Sequence, residues 1–149
     1  MGNRARFEIE LGKAIRSRVV RALTKSVMLV YETAMMKCPV GKRFPRLRSS
    51  IKYTIDEDNL LGLVYVDLKM APYAPYPEYG TRPHIIEPKN KKALAFNWGG
   101  APAHLPLLDD GRVVLKRVHH PGTIATPYMR PALWENIENI KTIFKQELT

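Results

Sequence analysis

Proline divides this chain more sharply than any other residue. Ten of its twelve prolines fall between Pro72 and Pro131 in a sequence of 149 residues. Each proline fixes its own φ, lacks an N–H and pushes the residue before it out of the α region. The middle of the chain is therefore predicted to consist of loops and short strands, while both ends are free to be helical.

The first end uses that freedom. From Phe7 to Lys37 there is no proline and one glycine, Gly12. Leu11, Ile15, Val19, Ala22, Ser26, Val30 and Ala34 recur every three or four residues, and Leu23 and Val27 widen the stripe. This spacing predicts an amphipathic helix over residues 7–37, on the order of 45 Å long. That is long for so short a chain, so the helix is expected to project or to lie across a neighbour. Lys13, Arg16, Arg18, Arg21 and Lys25 crowd its first half, with Glu8 and Glu10 the only acids nearby. They read either as a cationic face for a nucleic acid or acidic partner, or as a solvated helix face. At the other end, Leu133, Ile137, Ile140, Phe144 and Leu148 form a second stripe, predicting a helix over 131–148. Pro131 suits its first position. Glu135 and Glu138 early and Lys141 and Lys145 late complement the helix dipole.

Between the helices, Pro39 ends the first one and opens a loop in which Lys42, Arg43, Arg46 and Arg48 surround Phe44 and Pro45. This is the densest basic cluster in the chain. Its phenylalanine can stack on a base or anchor the loop. A hairpin is predicted from Ser50–Ile55 and Leu60–Leu68 around the turn Asp56-Glu57-Asp58-Asn59. Gly62 inside the second strand marks a bulge or a close backbone approach. Tyr73, Tyr76 and Tyr79 recur every third residue and would share one side of a helical turn or a polyproline segment. They read as a nucleic-acid platform or, since tyrosine combines area with a polar tip, as an interface wedge. Ala93–Asn97 and Gly111–His119 are the third and fourth predicted strands. The expected fold is α+β: one domain over 1–149, with a small antiparallel sheet of about four strands in a β-rich core over 50–119, packed with the long N-terminal helix and a C-terminal helix.

Composition bounds the function. An apolar fraction of 45% is that of a globular chain, and a formal charge of +10 favours acidic partners. One cysteine, Cys38, excludes a disulfide framework and is compatible with a reducing cytoplasm. No signal peptide or membrane-length apolar run is expected.

Chemistry is hard to find. Cys38 sits before Pro39 at the electronegative end of a helix, which raises a thiol's pKa. His119 and His120, with His84 and His104, are the candidate metal ligands. Neighbours on a strand point to opposite faces, however, so the adjacent pair is a poor shared site. The acids of Asp56-Glu57-Asp58 and Asp109-Asp110 lie in turn-like contexts. Gly99-Gly100 is followed by Ala-Pro, which is no phosphate loop.

Four blocks then recur in a known order. Leu47-Arg48-Ser49-Ser50-Ile51 follows the first helix. Tyr73-Ala74-Pro75-Tyr76-Pro77-Glu78-Tyr79-Gly80-Thr81 comes next. Ile86 with Pro88-Lys89, then Lys92-Ala93-Leu94-Ala95-Phe96, makes the third. Val118-His119-His120-Pro121-Gly122-Thr123 with Pro127-Tyr128-Met129-Arg130-Pro131-Ala132-Leu133 closes the series. Together they resemble the tail-completion or neck proteins of long-tailed double-stranded DNA phages, a likeness that covers nearly the whole chain. It departs from the family after Pro39-Val40, where the usual aspartate and threonine give way to a longer basic loop.

The resemblance implies a structural virion protein without catalysis, cofactor or metal. It would form a ring in the neck or at the tail end and join the portal or head-completion layer to the tail tube. The implied partners are further copies of itself, portal-side connector proteins, tail terminator or tube proteins and, transiently, the packaged duplex DNA, with no membrane. The implied location is the virion neck or tail, after assembly in the host cytoplasm. A ring needs head-to-tail contacts. Tyr73, Tyr76 and Tyr79 with Arg16, Arg21 and Lys25 are the candidate interface residues. Lys42, Arg43, Arg46 and Arg48 are candidates for facing the DNA lumen or an acidic partner. The competing functions are a basic nucleic-acid-binding module using those same four residues and a histidine–metal hydrolase. Under the resemblance, His119 and His120 are hydrogen-bonded corner residues.

Overall fold

Helix α1 spans Gly2–Lys37 in the computed structural model, which describes residues 2–41 and 44–149, with side chains at residue 8 and from residue 10 onward in those spans. At 1.5 Å per residue its 36 residues run for about 54 Å. Every described side chain from Glu8 to Arg18 is exposed, including Leu11 and Ile15, whereas Ala22, Ser26, Val27, Val30 and Ala34 are buried. One apolar stripe is thus covered along its second half and bare along its first. The Ser26 hydroxyl, buried in that stripe, donates to the Ala22 carbonyl one turn back at 2.8 Å. The amide of Cys38 closes the helix on the Ala34 carbonyl, and Pro39 prevents another turn.

The chain's contacts gather into two compact units, Met1–Tyr79 with Ala125–Thr149, and Gly80–Ile124. In the first, a short helix α2 (Leu47–Ser50) leads into β1 (Ile51–Asp56). It pairs antiparallel with β2 (Leu61–Val66), from Ile51 opposite Val66 to Asp56 opposite Leu61. The predicted turn closes as expected. The Asp56 carboxylate accepts the Asn59 amide at 3.0 Å and its side-chain NH2 at 2.7 Å. Alternation places Leu61, Leu63 and Tyr65 outside and Gly62, Val64 and Val66 on the covered side.

Gly62 makes a close approach, without a bulge. A Cβ there would lie 2.2 Å from Val27 Cγ2 and 3.0 Å from Leu23 Cδ1, so glycine lets β2 press against α1. Gly62→Ala is expected to cost about 1–3 kcal/mol through overpacking. Urea denaturation measures this, and a wild-type midpoint would mean that α1 and β2 are not in such contact.

Val30, Ala34 and Cys38 of α1 pack with Leu47, Ile51, Ala71, Ala74, Tyr128 and Ala132 into the core of this unit. Burial pushes the Cys38 thiol upward, against the smaller effect of Arg48, so it is not an activated nucleophile.

The C-terminal helix differs from the single segment predicted over 131–148. It begins earlier, as α4 (Met129–Trp134), and breaks before α5 (Ile137–Leu148). Pro131 is tolerated as the third residue of α4 because the N–H it lacks would have no intrahelical acceptor in the first turn. The break is made by Asn136. Its side-chain NH2 donates to the Ala132 carbonyl at 2.9 Å and to Thr33 Oγ1 on α1 at 3.0 Å, and its Oδ1 accepts from Asn139. A helix-period stripe survives across the break, which is why the sequence read as continuous. A five-residue helix, α3 (Pro75–Tyr79), completes this unit.

The second unit holds β3 (His84–Ile86), β4 (Leu94–Phe96), β5 (Val113–Leu115) and β6 (Val118–His120). The α+β class stands, but among the described residues the strands form three two-stranded antiparallel ladders where one sheet of about four strands was expected. The predicted strand 111–119 divides at Lys116-Arg117, and its halves take different partners. Val113–Leu115 pairs with β4, and Val118–His120 pairs with β3. Strand β3 escaped the sequence because it is three residues long between Pro83 and Pro88.

Candidate interface surface

The most organised polar contact in the first unit centres on Glu78. This side chain is 5% exposed, on α3, and its carboxylate faces the start of α4. One oxygen accepts the amides of Tyr128 at 2.8 Å and Met129 at 3.0 Å. The other accepts the Arg130 amide at 3.1 Å and Arg130 Nε at 3.0 Å. Arg130 Nη2 donates in return to the Glu78 carbonyl at 2.8 Å. A helix start leaves its first N–H groups without acceptors, and a buried carboxylate answers three of them at once. Burial raises the carboxyl's pKa. The amides of Met129, Tyr128 and Arg130 and the guanidinium outweigh it, so Glu78 titrates below the usual carboxylate range.

Pinned by Glu78, the guanidinium of Arg130 lies 4.7 Å from the ring centre of Tyr79 and 5.9 Å from that of Trp134. Tyr79 is 66% exposed and Trp134 62%. The result is a cation–π stack held at the surface by a buried acid. Arg130 and Trp134 also line an open hollow of about 470 Å³ among α1, β2, α4 and α5, walled by Leu23, Val27, Leu63 and Phe144. Tyrosine, tryptophan and arginine beside an apolar hollow is the composition of an interface hot spot.

The three tyrosines separate. Tyr76 and Tyr79 lie exposed on α3. Tyr73 precedes the helix, is half-buried against the core, and donates its hydroxyl to the Pro45 carbonyl. The cations proposed on α1 are engaged within the chain. Arg16 Nη2 donates to the carbonyls of Glu57 at 2.7 Å and Asp58 at 2.9 Å, clasping the β1–β2 turn. Lys25 and Arg21 both reach the carboxylate of Glu147 on α5 and hold it below its usual range. These three residues brace α1 against its own fold.

In the basic loop, Lys42 and Arg43 lie outside the described residues. Arg46 takes a left-handed backbone (φ 65) just before α2, and its carbonyl accepts Ser50 N–H and Ser49 O–H. Its side chain and that of Arg48 are exposed.

In the second unit, His120 stacks on His84 with ring centres 5.0 Å apart. His120 Nδ1 accepts the Gly122 amide at 3.0 Å, while His84 Nδ1 donates to the Arg82 carbonyl at 2.9 Å. His119 is exposed. Among the described residues, no group of three or more His, Cys, Asp or Glu side chains is placed to hold a metal ion, and no helix is long and apolar enough to cross a membrane.

Comparisons of the chain with protein-family models, with curated proteins and with solved structures find no match.

Sequence reasoning named Tyr79 but missed Glu78, Arg130 and Trp134. One signal was available. Glu78 is the only acid between Asp67 and Glu87, in a stretch of prolines and aromatics that offers it no neighbouring cation on α3. An isolated carboxylate in such surroundings asks for a partner from elsewhere in the chain.

Proposed function

We propose that this chain is a structural, ring-forming protein of the phage neck or tail end, joining a portal-side or head-completion layer to the tail tube, with no chemistry of its own. Its partners are further copies of itself, connector proteins on the head side, tail terminator or tube proteins on the other, and packaged duplex DNA in passage. Its place is the virion.

One observation carries the reading. The second and fourth blocks of the family resemblance are about fifty residues apart in sequence, yet they are joined through Glu78, which takes the amides of Tyr128, Met129 and Arg130. Beside this brace Tyr76, Tyr79 and Leu133 of these blocks are exposed, with Arg130 half-buried between Tyr79 and Trp134. A buried brace that holds an exposed tyrosine and tryptophan around an arginine fits a docking protein. The bare first half of α1, with Leu11 48% and Ile15 50% exposed, fits the same role.

The test is Tyr79→Ala with Trp134→Ala. Hot-spot truncations cost about 2 kcal/mol or more, so the double variant is expected to lower joining of heads to tails by at least roughly 30-fold while the monomer stays folded. The assay adds purified protein to heads and tails that lack it and counts infectious particles. Wild-type joining would remove this surface from the proposal. Loss of the monomer's fold would reassign Tyr79 and Trp134 to the core.

A further inference from the structure

The two ladders of the second unit bring together cations that are separate in sequence. Ile86, the last residue of β3, is opposite Val118, and Leu94, the first of β4, is opposite Leu115. The two ends of the β3–β4 connection (87–93) therefore flank the β5–β6 corner (116–117). The first carries Lys89, Lys91 and Lys92, the second Lys116 and Arg117, all exposed. The single acid in these segments, Glu87, stands 4.0 Å from Arg117. The four lysines make no ion pair among the described residues. None of the exposed large apolar side chains lies in either segment.

We propose that this cluster is a binding site for the phosphate backbone of a nucleic acid duplex. Five cations against one carboxylate, confined to two adjoining turns, make a local positive field that the rest of the unit does not neutralise. The flanking residues Pro88, Asn90 and Ala93 offer no aromatic anchor. Lysine is depleted from protein interfaces, whose cores favour aromatic residues and arginine. Lysine is, however, a common partner of phosphate oxygens, where contact is independent of base sequence. The chemistry thus favours phosphodiester over an acidic protein face. The site uses none of the residues of the Arg46 and Arg48 loop and adds a contact for the duplex DNA of the proposed function, on which it rests.

The experiment measures fluorescence anisotropy of the whole chain with a short labelled duplex of arbitrary sequence. With five phosphate contacts, affinity should fall roughly 500-fold between about 50 and 200 mM salt. In the variant Lys89→Gln/Lys91→Gln/Lys92→Gln two contacts remain, and the fall should be roughly 12-fold. The control Lys52→Gln/Lys69→Gln/Lys145→Gln removes the same charge from exposed positions of the other unit and should keep the wild-type slope. A second duplex sequence should compete equally, and polyglutamate of equal charge should not. Equal weakening by both triple variants, displacement by polyglutamate, or no duplex binding would each overturn the proposal. Particle joining is scored separately. A chain that joins heads to tails but ignores duplex defeats this site and leaves the neck reading standing. A chain that binds duplex through these lysines yet never joins particles does the reverse.

Discussion

Glu78→Ala is expected to lower folding stability by about 3–5 kcal/mol, since three buried or part-buried amides lose their acceptor at about 1–3 kcal/mol each. For a chain of this size that corresponds to a drop in melting temperature of roughly 6–20 °C. The loss goes beyond one ion pair. Three amides at the start of α4 lose their acceptor together, and the Tyr128 amide is buried where water cannot replace it. Arg130, more exposed than its partner, keeps part of its hydration but is no longer held over Tyr79. Glu78→Gln preserves the volume but turns an NH2 group towards N–H donors, so it should recover less than half of the loss. Thermal melts followed by circular dichroism measure both variants. If the glutamine variant melts with the wild type, the carboxylate's charge is irrelevant to the brace.

The pH dependence has a definite sign. Glu78 titrates below its usual range in the folded chain, so its stabilisation is complete above the unfolded-state value, about 4.3, and is lost as pH falls through the folded-state value. The gap between wild type and Glu78→Gln should stay constant from about pH 7 to 5 and shrink below about pH 4.

Gly122→Ala is expected to have the next largest effect, about 2–5 kcal/mol on the second unit. Gly122 has φ +89, and a Cβ there would sit 2.3 Å from the Thr81 carbonyl oxygen and 3.0 Å from the Arg82 carbonyl carbon. Both are backbone atoms, and neither can swing aside as a side-chain tip can. Alanine would carry left-handed strain of about 1–2 kcal/mol and push apart the Thr81–Thr123 bridge, whose two N–H···O bonds are 3.0 and 3.1 Å. Amide exchange at Thr81 and Thr123 reports the result. Unchanged protection would show that the segments at Thr81 and Gly122 do not cross so closely.

Several features could be read from the sequence because they are local. Proline and glycine placement, with one apolar stripe, located α1. Turn chemistry at Asp56–Asn59 located the hairpin, and the lone Gly62 marked a bulge or a close approach, of which the structure has the second. The opposite facing of His119 and His120 followed from strand geometry alone. What escaped depends on partners distant in sequence. Arg21 and Lys25 looked like a free cationic face because Glu147, which engages both, lies more than 120 residues away. Asn136 looked like an ordinary helical residue because the Thr33 hydroxyl it reaches belongs to α1. Tyr73, Tyr76 and Tyr79 share a period, but only the Pro45 carbonyl tells Tyr73 from the others.

The first unit is assembled from two stretches of chain with the whole second unit between them. During synthesis, α1 therefore emerges long before α4 and α5, the helices that pack against it. At 5–20 residues per second, the ribosome needs roughly 5–20 s to pass from Cys38 to Asn136. Through that interval Leu23, Val27 and Val30 lack α4 and α5, and only elements before the second unit, such as the hairpin with Leu47, Ala71 and Ala74, can cover them. The strands of Gly80–Ile124, all near one another in sequence, can pair first. The nascent protein thus carries an incompletely covered amphipathic helix, and the core of the first unit is the last part to close.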